Sequence, residues 1–456
     1  MKLNTLLVSC CLGALLGAPA VGGTPAFAAG TSPTQTIEAM LKTNHSLRSL
    51  KENREAVGHE IDHAKAGYGP RVDGTIRGGY GILSDSTTRQ YDYDHWGPYA
   101  NGSLILTQPV WDGLLTKSRV DEAKATYRSM DARVLDNATT LALDAIIAHI
   151  DVLRRREICR MSMENVAYHE DILARTRERQ SRGIDSMADV NQAEGRLTRS
   201  RATLSQAQAY LQIGEDTYKR LTRMPAGELE PVPVPAVMYK GIEDIMAEAE
   251  KHNPKLTAFM EDVTAAQARK DQARAAYHPT IDIEAGPSFT ERDGRDRLRT
   301  SEFSVSGVMR WNLFNSGADV ASNKAAAARV RQARQDVYDF MDELKLNVEQ
   351  SWSEYITARE QMDFYRKAME YNRDTRVAYE EQFMMGHRTL LDVLHSEDEY
   401  FNSSTQAVTA RSNVLIAIYN MKALAGTLLA EFKIDPETLK KAPEQNPDDE
   451  PLWPSR

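Results

Sequence analysis

Two stretches decide how this chain is read: MGHRTLLDVLHSE, Met385 to Glu397, and RGIDSMADVNQAE, Arg182 to Glu194. Each lies inside a long polar run with helical periodicity, and each carries a glycine, which weakens a helix interior by about 1 kcal/mol. Gly183, Asp189, Val190 and Glu194 stand 203 positions before Gly386, Asp392, Val393 and Glu397. A breaker that recurs with its neighbours reads as one turn written twice, and it implies a duplicated unit around it.

The rest of the chain repeats in the same order. Thr43-Asn44-His45-Ser46-Leu47 matches His252-Asn253-Pro254-Lys255-Leu256 at an offset of 209, which also sets Tyr68 on Tyr277, Pro70 on Pro279 and Asp73 on Asp282. Val110-Trp111-Asp112-Gly113-Leu114 matches Leu313-Phe314-Asn315-Ser316-Gly317 at the offset of 203, which carries Leu221 onto Leu424. The chain therefore divides into two units, 29–223 and 241–432, joined by a proline-rich linker, 224–240, containing PAGELEPVPVP. Such a stretch cannot be regular helix.

Each unit opens with a helix, Thr36 to Ala66 in the first, ending near Gly67 and Pro70. Two alternating segments follow around a polar loop, 71–81 and 99–109 in the first unit, 280–290 and 301–312 in the second. Asp293-Gly294 is a hairpin turn pair. Ile281 and Ile283 alternate with Asp282 and Glu284, and Val305 and Met309 with Ser304 and Arg310. A long helix from Leu114 to Arg182 then carries small or apolar residues at Val120, Ala123, Tyr127, Met130 and Val134, a coiled-coil seam. After Gly183 the chain returns as helix to about Thr222, so two shorter helices stacked end to end match the long one.

Composition narrows the setting. The 456 residues are 27% charged and 7% aromatic, with a net charge of −9 and a mean hydropathy of −0.50. Long exposed helices fit these values, and nucleic-acid binding does not. Lys2, the run LLVSCCLGALLGA and Ala26-Phe27-Ala28 make 1–28 a secretory signal peptide, and its removal takes Cys10 and Cys11 with it. Leu7-Val8-Ser9-Cys10 resembles a lipoprotein site, but it leaves almost no apolar run before the cysteine. Cys159 then stands alone and is expected as a packed small residue. No mature run is apolar enough for a membrane helix, yet an exported chain can enter a membrane as strands.

Four strands cannot close a membrane barrel, which starts at about eight. Two copies would give a barrel filled by its own side chains, so three is the smallest number that leaves a channel. Asp282, Glu284, Ser304 and Arg310 are expected to face inward, and Ile281, Ile283, Val305 and Met309 to face lipid. Tyr80, Trp96, Tyr99, Phe289 and Trp311 are candidate interfacial aromatics. A soluble antiparallel sheet is the alternative that these residues also allow.

TNHSL with HNPKL, AGYGPRVD with AAYHPTID, LTQPVWDG with MRWNLFNSG, and the two glycine phrases run in one fixed duplicated order. In them the chain resembles the TolC family of outer-membrane channel-tunnels over nearly its whole mature length. The resemblance implies a mainly α fold with a membrane β-barrel. Three chains form a twelve-stranded barrel in the outer membrane and a twelve-helix α-barrel in the periplasm. It places the linker and the polar, disordered tail 433–456 at an equatorial belt. The implied partners are a periplasmic adaptor (membrane fusion) protein, an inner-membrane ABC or proton-driven pump and outer-membrane lipid. The implied activity is a passive exit duct rather than an enzyme, serving type I protein secretion or, alternatively, small-molecule efflux. HRTLLDVL is similar to the secretion members. A soluble periplasmic coiled-coil adaptor is a third reading, but no lipoyl-like or compact β-barrel domain supports it.

The resemblance also assigns roles at the turns. Gly183 and Gly386 are expected to end helices with positive φ, and Ser186 and Thr389 to cap the returning ones. Asp189 and Arg388 match the family's periplasmic gate. Phe383 stands where the gate tyrosine would be and Ala188 where a threonine would be, so two polar links are lost. Asp392 matches an aspartate of an acidic constriction ring, while the second ring position holds His395, whose imidazole would soften the ring. From the residues alone, Asp189, Asp392 and Arg388 also fit solvated helix starts favoured by the helix dipole. Tyr91-Asp92-Tyr93-Asp94-His95 reads as a solvated loop, and His59 and His63 lack the glutamate of a metalloprotease helix. No catalytic, cofactor or metal residues are assigned.

Overall fold

The computed structural model describes residues 30–82, 96–235, 239–292 and 298–441. The 1–28 segment with Cys10 and Cys11, the Tyr91–His95 run, Asp293-Gly294 and the EQNPDDEPLWPSR stretch lie outside the described residues.

Asn44 and Asn253 decide how each unit begins. Both hold extended backbone (φ −76 and −69) and both cap the helix that follows. Asn44 accepts from the N–H groups of Ser46 and Leu47, and Asn253 from that of Leu256. The expected single helix from Thr36 to Ala66 is therefore two, α1 (Pro33–Thr43) and α2 (His45–Lys65). A short amide that can bond its own backbone offers an alternative to the helix ladder, and here that alternative prevails. The second unit repeats the break as α5 (Ile242–His252) and α6 (Pro254–Ala275).

Between these helix pairs come β1 (Arg71–Ile82), β2 (Trp96–Trp111), α3 (Leu115–Ser181) and α4 (Met187–Thr222). After α6 come β3 (Thr280–Arg292), β4 (Leu298–Arg310), α7 (Ala318–Met384) and α8 (Leu390–Leu424). The strands form one antiparallel sheet in the order β1-β2-β3-β4. Helices α3 and α7 are each 67 residues, about 100 Å long at ~1.5 Å per residue. Strand passes to long helix through two left-handed residues, Gly113-Leu114 in one unit and Ser316-Gly317 in the other. The glycine relieves the first of the two positions in one unit and the second in the other, so the geometry is kept while the residue moves.

Each long helix has two sets of partners. Near the sheet, α3 packs on α2 and α6, through Arg54–Asp131, Arg128–Glu261 and Arg269–Glu122. Toward its far end it packs on α4 and α8. Likewise α7 meets α6 through stacked Phe259 and Phe340, and then α8. Helices α8 and α6 meet end to end, where Asn253 Nδ2 donates to the Leu424 carbonyl. Gly426 (φ +74) permits this contact, because a Cβ there would lie 2.2 Å from the His252 carbonyl oxygen.

Three main cores follow the long helices: one around Ile37, Ile146, Val232 and Tyr419, one around Ile245, Leu344, Val348 and Met421, and one at the far end. Residues 225–235 of the linker run extended across the first. Leu229 bridges Thr31, Tyr419 OH donates to the Pro233 carbonyl, and Arg156 Nη1 donates to that of Gly227. His149 is wholly buried and joins α1 and α4 to this strap through Thr36, Tyr218 and the Glu230 carbonyl. Burial lowers its pKa, so it stays neutral.

The tail expected to be disordered from 433 is ordered at its start. Ile434 and Leu439 are buried in the first core, Leu439 from the short helix 436–440, because both side chains are apolar and a core lies within reach. Cys159 is buried and unpaired, as expected of a packed small residue. Among the described residues no helix is long and apolar enough to cross a membrane.

Candidate functional site

The register of the sheet sorts its side chains into two chemistries. Thr280 pairs with Arg310, Asp282 with Val308 and Glu284 with Ser306. Glu284 and Asp282 also pair with Thr107 and Pro109, and Thr107 with Arg71. That face therefore carries Arg71, Asp73, Thr75, Arg77, Asn101, Ser103, Thr107, Asp282, Glu284, Ser304, Ser306 and Arg310, with Ile105, Pro109 and Val308 among its apolar exceptions. Arg310 bridges Asp282 (2.9 Å) and Glu284 (2.6 Å).

The other face carries Val72, Ile76, Leu104, Leu106, Ile281, Ile283, Phe289, Phe303, Val305 and Met309. All are exposed in the single chain, Ile76 to 88%. Tyr80 stacks on Trp96 at the loop end, with ring centroids 6.1 Å apart, and the exposed Trp111 and Trp311 stand at the helix end. Neither β1 nor β4 has a second neighbour among the described residues. A sheet with one polar face, one face that is apolar except for Gln108 and the loop-end residues Glu291, Arg299 and Ser301, and two open edges is a segment of a wall.

At the opposite end, about 100 Å away, the two glycine phrases make two turns with the same hydrogen-bond pattern. Gly183 (φ +75) and Gly386 (φ +79) each end a long helix. The N–H groups of Gly183 and Ile184 return to the carbonyls of Gln180 and Arg179, and those of Gly386 and His387 to Phe383 and Gln382. Both are Schellman closures. Ser186 with Asp189, and Thr389 with Asp392, then form capping boxes that start α4 and α8.

The structure brings together some of the residues expected there and separates others. Asp189 and Asp392 occupy equivalent caps. The hydroxyl of Ser186 or Thr389, then the backbone N–H, holds each carboxyl below the usual carboxylate range, so both stay ionised. Capping engages Oδ2 of Asp392, and its side chain remains 36% exposed. Arg388 folds back along its own hairpin, donating to Gln382 Oε1 (3.1 Å), lying over the Tyr379 ring (4.2 Å) and standing 3.9 Å from Asp392. His395 is exposed one turn on.

Phe383, which stands where the gate tyrosine was expected, is buried. It is 2% exposed, packed with Ile172, Val190, Leu390 and Leu394 beneath the Arg179 guanidinium. A phenyl ring without a hydroxyl loses nothing by full burial, which is why it joins the core rather than the surface. Arg179 in turn makes a two-pronged pair with Asp185 (2.9 and 3.1 Å), tying the first turn to the end of α3.

A buried polar knot above these turns has no counterpart in the sequence reading. Glu397 is 3% exposed; it accepts from Arg376 (3.0 Å) across the α7–α8 hairpin and from Asn165 of α3 (2.9 Å). The Arg376 guanidinium lies between the rings of Tyr168 (5.2 Å) and Tyr400 (4.5 Å). Burial raises the Glu397 carboxyl pKa despite the opposing pull of Arg376 and Asn165. Glu397 ends the glycine phrase, but Arg376 and Asn165 lie on other helices, and nothing in their local sequence joins the three.

This is the geometry of a channel subunit: a wall segment needing copies of itself, continued by paired helices to a narrow set of turns. Residues 36–222 and 245–427 match the model of the outer membrane efflux protein family, and the chain belongs to that family. The family fold is a trimeric β-barrel continued by an α-barrel tunnel, set in the outer membrane and reaching into the periplasm. The chain is 23% identical over 406 residues to the outer membrane efflux protein BepC of Brucella suis, covering 87% of this chain and 86% of BepC. It is 22% identical over 410 residues to the proteases secretion protein PrtF of Dickeya chrysanthemi, covering 86% and 87%. The Campylobacter jejuni CmeC outer membrane channel superposes with a TM-score of 0.74 at 13% identity, covering 91% of this chain and 90% of CmeC.

The knot has a testable sign. A carboxyl whose folded pKa is raised favours the native state while protonated, and that advantage is lost as pH rises from the unfolded to the folded value. Between about pH 4 and neutrality the wild type should therefore lose stability relative to Glu397→Gln, measured by urea unfolding of both in detergent. A difference that grows in the wild type's favour with rising pH would show that Arg376 outweighs burial.

Proposed function

We propose that this chain is the outer-membrane exit duct of a tripartite export system, a passive channel recruited by a periplasmic adaptor and an inner-membrane pump. The sheet carries this reading: an apolar face suited to lipid and a polar face with Asp282, Glu284 and Arg310, which suits a water-filled lumen. Chemistry at an active site is no part of the proposal, since the homologous channels are passive.

The proposed cargo is protein, by type I secretion. The support is the match to PrtF, a proteases secretion protein, over the same span as the match to BepC. BepC, named an efflux protein, favours the second reading, export of small molecules. The two readings separate in a deletion strain scored for secreted proteins and for drug susceptibility. Loss of a secreted protein with unchanged susceptibility is expected; the reverse pattern would transfer the assignment to efflux.

The turns are proposed to form the periplasmic gate. Three copies of Asp392, each ionised and partly exposed, would make an acidic ring on the tunnel axis, bordered by His395. Asp189 and Arg388 are proposed to link neighbouring hairpins, and Phe383 to stiffen them from the core. Releasing Arg388 from Gln382, Tyr379 and Asp392 should loosen the mouth. Arg388→Ala is expected to raise single-channel conductance in a planar bilayer, and unchanged conductance would remove Arg388 from the gate.

A further inference from the structure

The strap formed by residues 225–235 of the linker is tied to α3 by Arg156 and by a buried imidazole, His149. His149, Thr36 and Tyr218 are each 0% exposed within the single chain, so no neighbouring chain of the ring touches them. The Glu230 carbonyl can only accept, so His149 Nε2, 2.8 Å away, carries the hydrogen and donates to it. Nδ1 of the neutral ring is then the acceptor, and the Thr36 hydroxyl at 2.9 Å is its donor. The Tyr218 hydroxyl in turn donates to Thr36 (2.9 Å), with its ring edge-on to the imidazole. Donation therefore runs one way, from α4 through α1 and α3 to the linker.

A second proton would enter at Nδ1, where Thr36 already points its hydrogen. Thr36 can turn to the Ser32 carbonyl (3.2 Å) and accept from the ring, so the hydrogen bonds have an alternative arrangement. The charge has none. From α1 and α4 the ring meets the neutral Thr36 and Tyr218, and the charges that reach it are those of Glu230 and of Arg156, further along α3. The Glu215 carboxylate of α4 is already bound to Arg156 (2.8 Å). Burial is the largest influence and keeps the ring's pKa below its ordinary value; the Glu230 carbonyl opposes it and Arg156 adds to it. The strap is the layer that can yield. Besides the side chains of His149, Arg156 and Tyr419, it is held by the Thr31 N–H on the Glu228 carbonyl (2.7 Å) and the Glu230 N–H on the Thr31 carbonyl (3.0 Å). Opening so small a hydrogen-bonded patch costs far less than unravelling a 67-residue helix, and it admits water to the imidazolium.

We infer that His149 is an acid-sensitive clasp: when the imidazole is protonated, the strap leaves α3 and the joint between the two units of the chain loosens. The inference is independent of the cargo and of the gate. A base held neutral by burial stabilises the closed strap in full above its ordinary pKa, about 6.5, and loses that contribution as pH falls below it.

Hydrogen–deuterium exchange in the full-length protein, assembled and solubilised in a mild detergent, tests it. Uptake at the Thr31 and Glu230 amides, corrected for the intrinsic effect of pH, is followed from about pH 7.5 to about pH 5.5. The opening equilibrium is expected to rise about tenfold over that range in the wild type. It should stay level in His149→Gln, whose amide can still donate to the Glu230 carbonyl. Should that variant fail to assemble, exchange at the imidazole C2 hydrogen of His149 in the wild type gives the ring's own titration, expected below its ordinary midpoint. A level wild-type profile, the same rise in His149→Gln, or a His149 midpoint at or above about 6.5 would each overturn the inference.

Discussion

A β-sheet set in hydrocarbon cannot keep an open edge, because each unpaired N–H or C=O there costs several kcal/mol with no water to replace the partner. The four-stranded sheet of this chain has an edge at β1 and another at β4, and a face of bare isoleucine, valine, phenylalanine and leucine. One condition removes both liabilities. Copies must join edge to edge around a closed ring, with the apolar face outward. Three copies make the trimeric barrel of the family, and the polar face then encloses the lumen. The alternation of Ile281 and Ile283 with Asp282 and Glu284 is thus a consequence of a wall that meets lipid on one side and water on the other.

The helices inherit their layout from that ring. Each strand pair delivers its chain to a 67-residue helix through a left-handed step, so the two long helices leave the sheet in equivalent ways. A partner of equal length is not one helix but two, joined end to end at Asn253, Leu424 and Gly426. Near the break, the linker, α1, α5 and the start of the tail pack against the long helices. Caps hold both ends of each return helix, and a Schellman closure at the turn returns backbone N–H groups to carbonyls of the long helix's last turn as the chain reverses.

Much of this was legible because it is local or periodic. A glycine that needs positive φ, a serine or threonine three residues before an aspartate, and strict alternation along a strand each act over a few residues. Gly183, Gly386, Ser186, Thr389 and the faces of β3 and β4 could be read that way. The duplication supplied what no single motif does, since it sets each feature beside its counterpart. The break at Asn44 was missed because an asparagine in a polar helical run has no visible cost until its side chain is seen on the backbone N–H of Ser46 and Leu47. The resemblance placed Phe383 at the gate-tyrosine position, but its burial was not visible there, because it depends on tertiary packing with Ile172 and Leu394. The Asn165–Glu397–Arg376 knot was out of reach, as its members meet only after α3, α7 and α8 have packed.

Copies of this chain must close one ring, and the number of chains in the extracted assembly tests this most directly. Native mass spectrometry of the protein solubilised from outer membranes in a mild detergent should give a mass of three mature chains. A monomer or dimer that still conducts in a planar bilayer would contradict it, because neither leaves the sheet's edges paired around an open lumen.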